Sequence, residues 1–231
     1  MLAEDVRLLV LRHGRSEWNA VRRWQGQFDS PLDPIGRAQA VAVADELARI
    51  ANRWGRPVAS TLGRAAETAA IIAGRLGLEP PCLDARLVEA HAGEWQGLTP
   101  GEIESAYPGW LGAHRRPAGF EPLESVVDRA TAALVDIAAT IDEGHSGLVV
   151  SHSGLIRSLV RSLGLTDTRI PNLGGVWFRL EPVDASSPGR PRLVVDELFD
   201  PHGVVVSGVD APGEDPGEQP DQPDQHGRSQ R

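Results

Sequence analysis

The chain has 231 residues, 41% of them apolar, and a net charge of −9, enough for one sizeable core in an acidic protein. Lysine is absent and every fixed positive charge is an arginine, which excludes a Schiff-base lysine and a P-loop lysine. The acidic balance argues against a nucleic-acid-binding domain, although a local anion site needs no favourable net charge.

Met1–Asp5 carries no basic stretch and no apolar run follows it at signal-peptide length. No apolar run reaches membrane-spanning length either, so a soluble cytoplasmic protein with no membrane partner is expected. Val6 to Leu11 reads as a buried strand, and Pro34 to Ile50 as a helix whose apolar face carries Ala38, Val41, Val43, Ala44, Leu47 and Ile50. Pro57-Val58-Ala59 is a short strand, and Arg64 to Leu76 an alanine-rich helix stopped by Gly77. Cys82 to Leu87 reads as a third strand. Its cysteine is the single one of the chain, with neither a disulfide partner nor a second thiolate for a metal. Thr99 followed by Glu102 is a capping box. A long helix from Leu123 to Asp142 precedes a strand over Gly147–Val150 and a helix over Ser153–Leu163, and Val176–Leu180 and Leu193–Leu198 are two further strands. Strands alternating with helices predict an α/β protein, a three-layer α/β/α sandwich with a largely parallel central sheet. The domain is expected over 1–206. From Ser207 the composition turns to Pro, Gly, Gln and acids, with six acidic residues and two arginines, and 207–231 reads as a disordered acidic tail.

In such sheets ligands bind beyond the carboxyl ends of the strands. Arg12 and His13 follow the first strand; Ser60, Thr61 and Arg64 follow the second; Ser151, His152 and Ser153 follow the fourth. Two arginines and two histidines thus converge on one rim, which suits a small dianion such as phosphate. His13 is the candidate nucleophile, a neutral imidazole beside the conformationally free Gly14 and favoured in that form by cationic neighbours. Arg12 and Arg64 are planar forks for phosphate oxygens. His152 is a further donor, and the helix starts at Arg64 and Ser153 are expected to offer free N–H groups to the anion. Glu89, after the third strand, is the candidate general acid.

These runs resemble the histidine phosphatase (phosphoglycerate mutase-like) superfamily. Leu11-Arg12-His13-Gly14 is similar to its nucleophile motif, and Trp18-Asn19, Gln25-Gly26, Asp29, Pro31-Leu32, Gly36 and Gln39-Ala40 to the stretch that follows. Ser60-Thr61-Leu62-Gly63-Arg64-Ala65 with Thr68-Ala69 is similar to the second-arginine motif. Glu89 with Gly93-Glu94-Trp95-Gln96-Gly97 is similar to the acid motif, and Val150 to Arg157 to the second-histidine motif. The resemblance runs from Arg7 to Leu180 with the four motifs in order. It implies His13 as nucleophile, Glu89 as proton donor, and Arg12, Arg64 and His152 as the phosphate pocket. Asn19, Gln25, Gly26 and Ser153 match positions that touch phosphate or substrate. It also implies no metal, no other cofactor and a homodimer. Leu123 where glycine is usual, Glu67 for glutamine, Val88 for arginine and Ser153 for glycine depart from the pattern and bear on the substrate, not the reaction.

Only 35 positions separate Glu89 from Glu124, and no lysine lies between, so the mutases' long insertion and lysine are missing. Gly-Glu-Trp-Gln-Gly resembles the broad-specificity and glucosyl-3-phosphoglycerate phosphatase branch. The expected function is therefore a metal-independent phosphomonoesterase acting through a phosphohistidine on a small phosphorylated metabolite. In relatives, paired arginines near Arg115 and Arg116 bind a substrate carboxylate, which would make the ester a phosphoglycerate derivative; a solvated helix end is the plainer reading of His114-Arg115-Arg116. Trp24, Phe28, Trp110 and Phe120 are candidates for the leaving-group pocket. The alternatives are a phosphoglycerate mutase-type transferase, a non-catalytic phospho-ligand-binding module, and a metal protein using His13, His91 and His152, which lack the tight spacing of zinc motifs.

Overall fold

A computed structural model of the chain describes residues 6–50, 53–166, 169–181 and 192–201. The elements in order are β1 (Arg7–Arg12), α1 (Glu17–Ala20), α2 (Pro34–Leu47), β2 (Arg53–Trp54), β3 (Val58–Ser60), α3 (Gly63–Leu76) and β4 (Cys82–Asp84), then α4 (Pro100–Ala106), α5 (Leu123–Ala138), β5 (His145–Ser151), α6 (Ser153–Ser162), β6 (Gly175–Glu181) and β7 (Arg192–Phe199). The proposed tail, 207–231, lies outside the described residues.

The strands form one mixed sheet in the order β4-β3-β5-β1-β6-β7, with β2 pairing β5. The pairs β1–β5, β3–β5, β3–β4 and β2–β5 are parallel, as βαβ crossovers require, while β6 and β7 add an antiparallel edge. The period of two along β1 divides the core. Leu8 and Val10 join the cluster containing Ala130 and Leu134 of α5 and Leu155 and Leu159 of α6. Leu9 and Leu11 join Val43 and Leu47 of α2 and Ala65, Ala69 and Ile72 of α3. A helix pair therefore covers each face, which is the expected three-layer sandwich.

Three boundaries differ from the sequence reading by three residues or more. Residues 82–87 are strand only to Asp84, whose side chain accepts from Arg86 N and turns the chain into a 3₁₀ turn over Ala85–Leu87. The helix begun at Leu123 stops at Ala138, not Asp142. Helix α2 ends at Leu47, and its buried residues are Gly36, Ala40, Val43, Ala44 and Leu47, with Val41 on the outside and 40% exposed. The cause is a close backbone approach. A Cβ on Gly36 would sit 2.0 Å from Arg15 O, and one on Gly14 would sit 2.5 Å from Gly36 O. Two glycines let the N-terminal turn of α2 press on the segment just after β1, and that contact sets the rotation of the helix. Among the described residues no helix is long and apolar enough to cross a membrane.

Candidate active site

The ends of β1, β3 and β5 meet at a cavity of about 700 Å³ whose lining includes Arg12, His13, Asn19, Gln25, Gly26, Arg64, Glu89 and Ser153. His13 is buried at the end of β1, its backbone N–H donating to Ser151 O of β5. Its Nδ1 lies 2.7 Å from Gly14 O. A carbonyl only accepts, so Nδ1 carries the proton and Nε2 keeps its lone pair. Arg64 Nε–H donates to that Nε2 at 3.2 Å, in agreement. Burial first, then the guanidinium groups of Arg64 and Arg12, hold the His13 pKa well below its ordinary value against the pull of the Gly14 carbonyl. The ring is neutral at pH 7.

Arg64, on the first turn of α3, is oriented by Gly26 O and Phe28 O, each at 2.8 Å. Burial, chiefly, pushes its pKa down to about 10, so it stays charged at neutral pH. Arg12 donates through Nη1 to Ile170 O at 2.8 Å. Asn172 Nδ2 donates to His13 O at 2.9 Å, tying the segment before β6 to the nucleophile loop. Asn19 is presented by α1, whose N-cap Ser16 forms a reciprocal box with it, and the Ser16 hydroxyl also reaches Gln25 Oε1 at 3.0 Å.

His152 lies beneath the lining, with its ring centroid 5.1 Å from that of His13. Its Nε2 is 2.8 Å from Ser60 Oγ, and Leu62 N donates to the same oxygen. The hydroxyl proton finds an acceptor only if it points at Nε2, which places the ring's own proton on Nδ1. Nδ1 is buried with no protein partner among the described residues, as is Ser153 Oγ. Burial, then Arg64, His13, Arg12 and Arg129, lower the His152 pKa well below its ordinary value, so it too is neutral. The sequence places Ser60 on the rim without assigning it a role; it sits at the end of β3, the position from which it reaches His152. Replacing Ser60 by Ala removes one buried hydrogen bond and the tautomer preference, with an expected loss of about tenfold in kcat. The ¹⁵N shifts of His152 should move toward mixed tautomers, and unchanged shifts would reject the assignment.

Both neutral rings make stability acid-sensitive. Their folded pKa values lie below the unfolded one of about 6.5, so below that pH the unfolded chain binds protons that the folded chain refuses. Stability is therefore expected to fall as pH drops from 6.5 to 5, by up to about 2.7 kcal/mol per pH unit for the two rings together. Urea unfolding across that range checks it, and a slope unchanged in His152→Asn would reject it.

Two helix N-termini differ from expectation. Rather than lying open to an anion, Gly63 N and Arg64 N of α3 donate to the Asp29 carboxylate. Gly154 N and Leu155 N of α6 donate to Glu89, at 3.0 and 2.9 Å, and Ala90 N adds a third bond at 2.8 Å. Carboxylates of the chain itself satisfy these orphan donors. Glu89 lines the same cavity as His13 and Arg64. Its backbone is held by Gln27 Nε2 and Arg129 Nη2 on Glu89 O, while Arg129 Nη1 binds Arg86 O and Val88 O. Arg129 also forks onto both oxygens of Glu121. Burial opposes the Glu121 charge, but Arg129 and His91 N–H outweigh it and keep the pKa below the usual carboxylate range. Gln27, Arg129 and Asn172 carry no local sign in the sequence because each acts across a long separation, and Asp29 is marked there only by the family resemblance.

The paired arginines part company. Arg116 lines the cavity, whereas Arg115 does not and instead lies 4.3 Å over the ring of Trp110. They stand in a turn region after α4, not at a helix end. Trp24 and Phe120 line the cavity, while Phe28, 53% exposed, and Trp110 do not. His91 sits behind it, its Nδ1 near Gly93 N and Gly119 O. No cluster of three or more potential metal ligands occurs among the described residues, and His13, His91 and His152 form no such group.

A doubly covered α/β sheet whose strand ends enclose a neutral histidine between two arginines, with a carboxylate opposite, defines an enzyme built to handle phosphate. The sequence profile described as "Histidine phosphatase superfamily (branch 1)" matches residues 8–174. The chain belongs to the histidine phosphatase superfamily and is a phosphatase. It is 40% identical over 190 residues to a glucosyl-3-phosphoglycerate phosphatase of Mycolicibacterium vanbaalenii, covering 75% of this chain and 83% of that protein. It is 35% identical over 167 residues to a metal-independent phosphoserine phosphatase of Arabidopsis thaliana, covering 68% of each. A solved mycobacterial glucosyl-3-phosphoglycerate phosphatase in complex with VO3 superposes with a TM-score of 0.70 at 31% identity, over 84% of this chain and 98% of that one.

Proposed function

We propose that the enzyme hydrolyses a small phosphate monoester through a phosphohistidine on His13 Nε2, with Glu89 as proton carrier. The observation that carries this reading is the His13 tautomer: Nδ1–H bound to Gly14 O, and an Nε2 lone pair facing the cavity between Arg12 and Arg64. As the ester enters, Arg64 Nε–H exchanges Nε2 for a phosphoryl oxygen. Nε2 attacks phosphorus, the ester P–O bond breaks, and the leaving oxygen takes the proton of Glu89. Arg12, Arg64 and the Nδ1–H of His152 bind the equatorial oxygens. The Glu89 carboxylate then takes a proton from water as its oxygen attacks phosphorus. The P–N bond breaks, inorganic phosphate leaves, and His13 and Glu89 return to their starting states. No metal is needed at any step. Asn19, Gln25, Gly26 and Ser153 contact the phosphate or the first atoms of the substrate in this reading, and Arg116 the leaving group.

The two phosphatase relatives direct the substrate search to glucosyl-3-phosphoglycerate and phosphoserine. The test is phosphate release in excess EDTA from p-nitrophenyl phosphate and both of these esters. Turnover that survives the chelator supports the reading, and the ester with the highest kcat/KM names the substrate class. Activity lost to EDTA and restored by a divalent metal would overturn it. Transfer to a phosphoglycerate acceptor without phosphate release would point to a mutase.

A further inference from the structure

The three peptide units between Arg12 and Arg15 are each held on both sides. In the first, Leu173 N–H donates to Arg12 O at 3.1 Å, and His13 N–H donates to Ser151 O at 3.0 Å. In the second, Asn172 Nδ2 donates to His13 O at 2.9 Å, and Gly14 N–H donates to Thr68 Oγ1 at 3.0 Å. The third has the nucleophile itself on one side. Gly14 O receives His13 Nδ1–H at 2.7 Å, while Arg15 N–H donates to Gln39 Oε1 at 2.9 Å.

The close approach of Gly36 to the Arg15 backbone brings α2 within reach of this third unit, and Gln39 stands one helical turn further on, on the same side. Asp33 clamps Arg15 to the start of the same helix, its N–H on Arg15 O and its carboxylate on Arg15 Nε. A trans peptide is planar, with its C=O and N–H pointing to opposite sides. Holding Arg15 N–H toward Gln39 therefore turns Gly14 O toward the His13 ring. Glycine at position 14 gives that plane little resistance of its own. With the plane reversed, an N–H would face Nδ1. An N–H only donates, so Nδ1 would have to accept and the ring proton would sit on Nε2. That nitrogen would then oppose Arg64 Nε–H, 3.2 Å away, and present no lone pair to phosphorus.

The geometry points to Gln39 as a positioning residue for the nucleophile: its side-chain oxygen fixes the Gly14–Arg15 peptide and, through it, the tautomer of His13 that attacks. The inference rests on the phosphohistidine reading above and deepens it, naming a residue outside the cavity on which that reading depends. Gln39 does not line the cavity, so it acts on the ring and not on the ester. Its loss is expected to lower kcat and to leave KM, which Arg12 and Arg64 govern, near the wild-type value.

The experiment records the ring ¹⁵N shifts of His13 at about pH 8, where histidines are neutral. The signals are assigned by their disappearance in His13→Ala, and kcat and KM for p-nitrophenyl phosphate are measured alongside. The wild type is expected to show Nδ1–H and a bare Nε2, and a wild-type ring protonated on Nε2 overturns the inference. Gln39→Met, which removes the acceptor at similar length, is expected to give the averaged shifts of mixed tautomers and to lower kcat about tenfold. Gln39→Glu, which keeps an acceptor oxygen, is expected to restore the wild-type shifts and most of the rate. A rate lost in Gln39→Met with wild-type His13 shifts is what a purely structural role produces, and it overturns the inference. So do an unchanged kcat in Gln39→Met and mixed shifts that Gln39→Glu leaves unrepaired. Should Gln39→Met fail to fold, Gln39→Asn, whose amide is one methylene too short to reach Arg15 N, is read by the same criteria. If the wild type releases no phosphate from any ester, the phosphohistidine reading fails separately, and the ring shifts alone decide whether Gln39 sets the tautomer.

Discussion

Replacing His13 by alanine is expected to lower phosphate release by roughly four orders of magnitude or more, because it removes the imidazole whose Nε2 is proposed to attack phosphorus. Nothing nearby can substitute. The Nε2 of His152 is committed to Ser60, and the single cysteine, Cys82, is exposed on β4. Arg12 and Arg64 survive the substitution, so ester binding should persist while turnover vanishes. Rapid quench with a ³²P-labelled ester separates the two. The wild type should yield an acid-labile, base-stable phosphoenzyme, and His13→Ala none. A phosphoenzyme that still forms, or activity above about 1% of wild type, would remove His13 from the role. Because burial and two arginines already keep the ring neutral, the acid limb of the activity profile should not fall at the pH where an ordinary histidine titrates.

The second large effect belongs to Glu89. Glu89→Gln should slow alkyl phosphate hydrolysis by about 10²–10⁴, the usual worth of a general acid. With p-nitrophenyl phosphate the outcome should differ in kind. A phenolate leaves without a proton, so the first step proceeds, but the phosphohistidine then waits for a base to activate water. Stopped flow should record a burst of one p-nitrophenol per site followed by a slow steady rate. A variant that loses both esters equally, with no burst, would place Glu89 in positioning only. The amide also sets an NH₂ against some of the three backbone N–H donors, so a thermal melt should accompany the kinetics.

How much was legible beforehand follows from the range of each interaction. Arg12-His13 and His152-Ser153 could be placed because a buried strand ending in polar residues is a local pattern, and parallel strands deliver such ends to one rim. The α2 face is not legible locally, since Val41 fits an apolar stripe as well as Ala40 does. In the fold Ala40 shares the inward face with Gly36, which packs closely on the backbone around Arg15, and Val41 points outward. The sequence extends the third strand to Leu87 because Ala85-Arg86-Leu87 has acceptable strand composition. The Asp84–Arg86 turn ends it, and three side-chain bonds from Arg86 back to Asp84 reinforce it. Arg129 gives no local sign at all: it is one charged residue on an amphipathic helix until the fold sets it under the carbonyls of Arg86, Val88 and Glu89.

The order of residues along the chain thus determined which groups the enzyme owns: two histidines, two arginines and a glutamate at the ends of strands, and no lysine or thiol chemistry beside them. The tertiary structure alone decided the state of those groups. His13 and His152 are neutral because the folded core dries them beside two guanidinium groups, and their tautomers are set by Gly14 O and Ser60 Oγ. The N-termini of α3 and α6 look from sequence like open anion sites. In the fold, Asp29 and Glu89 fill them, because helix N–H groups left unpaired at a buried end take a partner from whatever segment packs there.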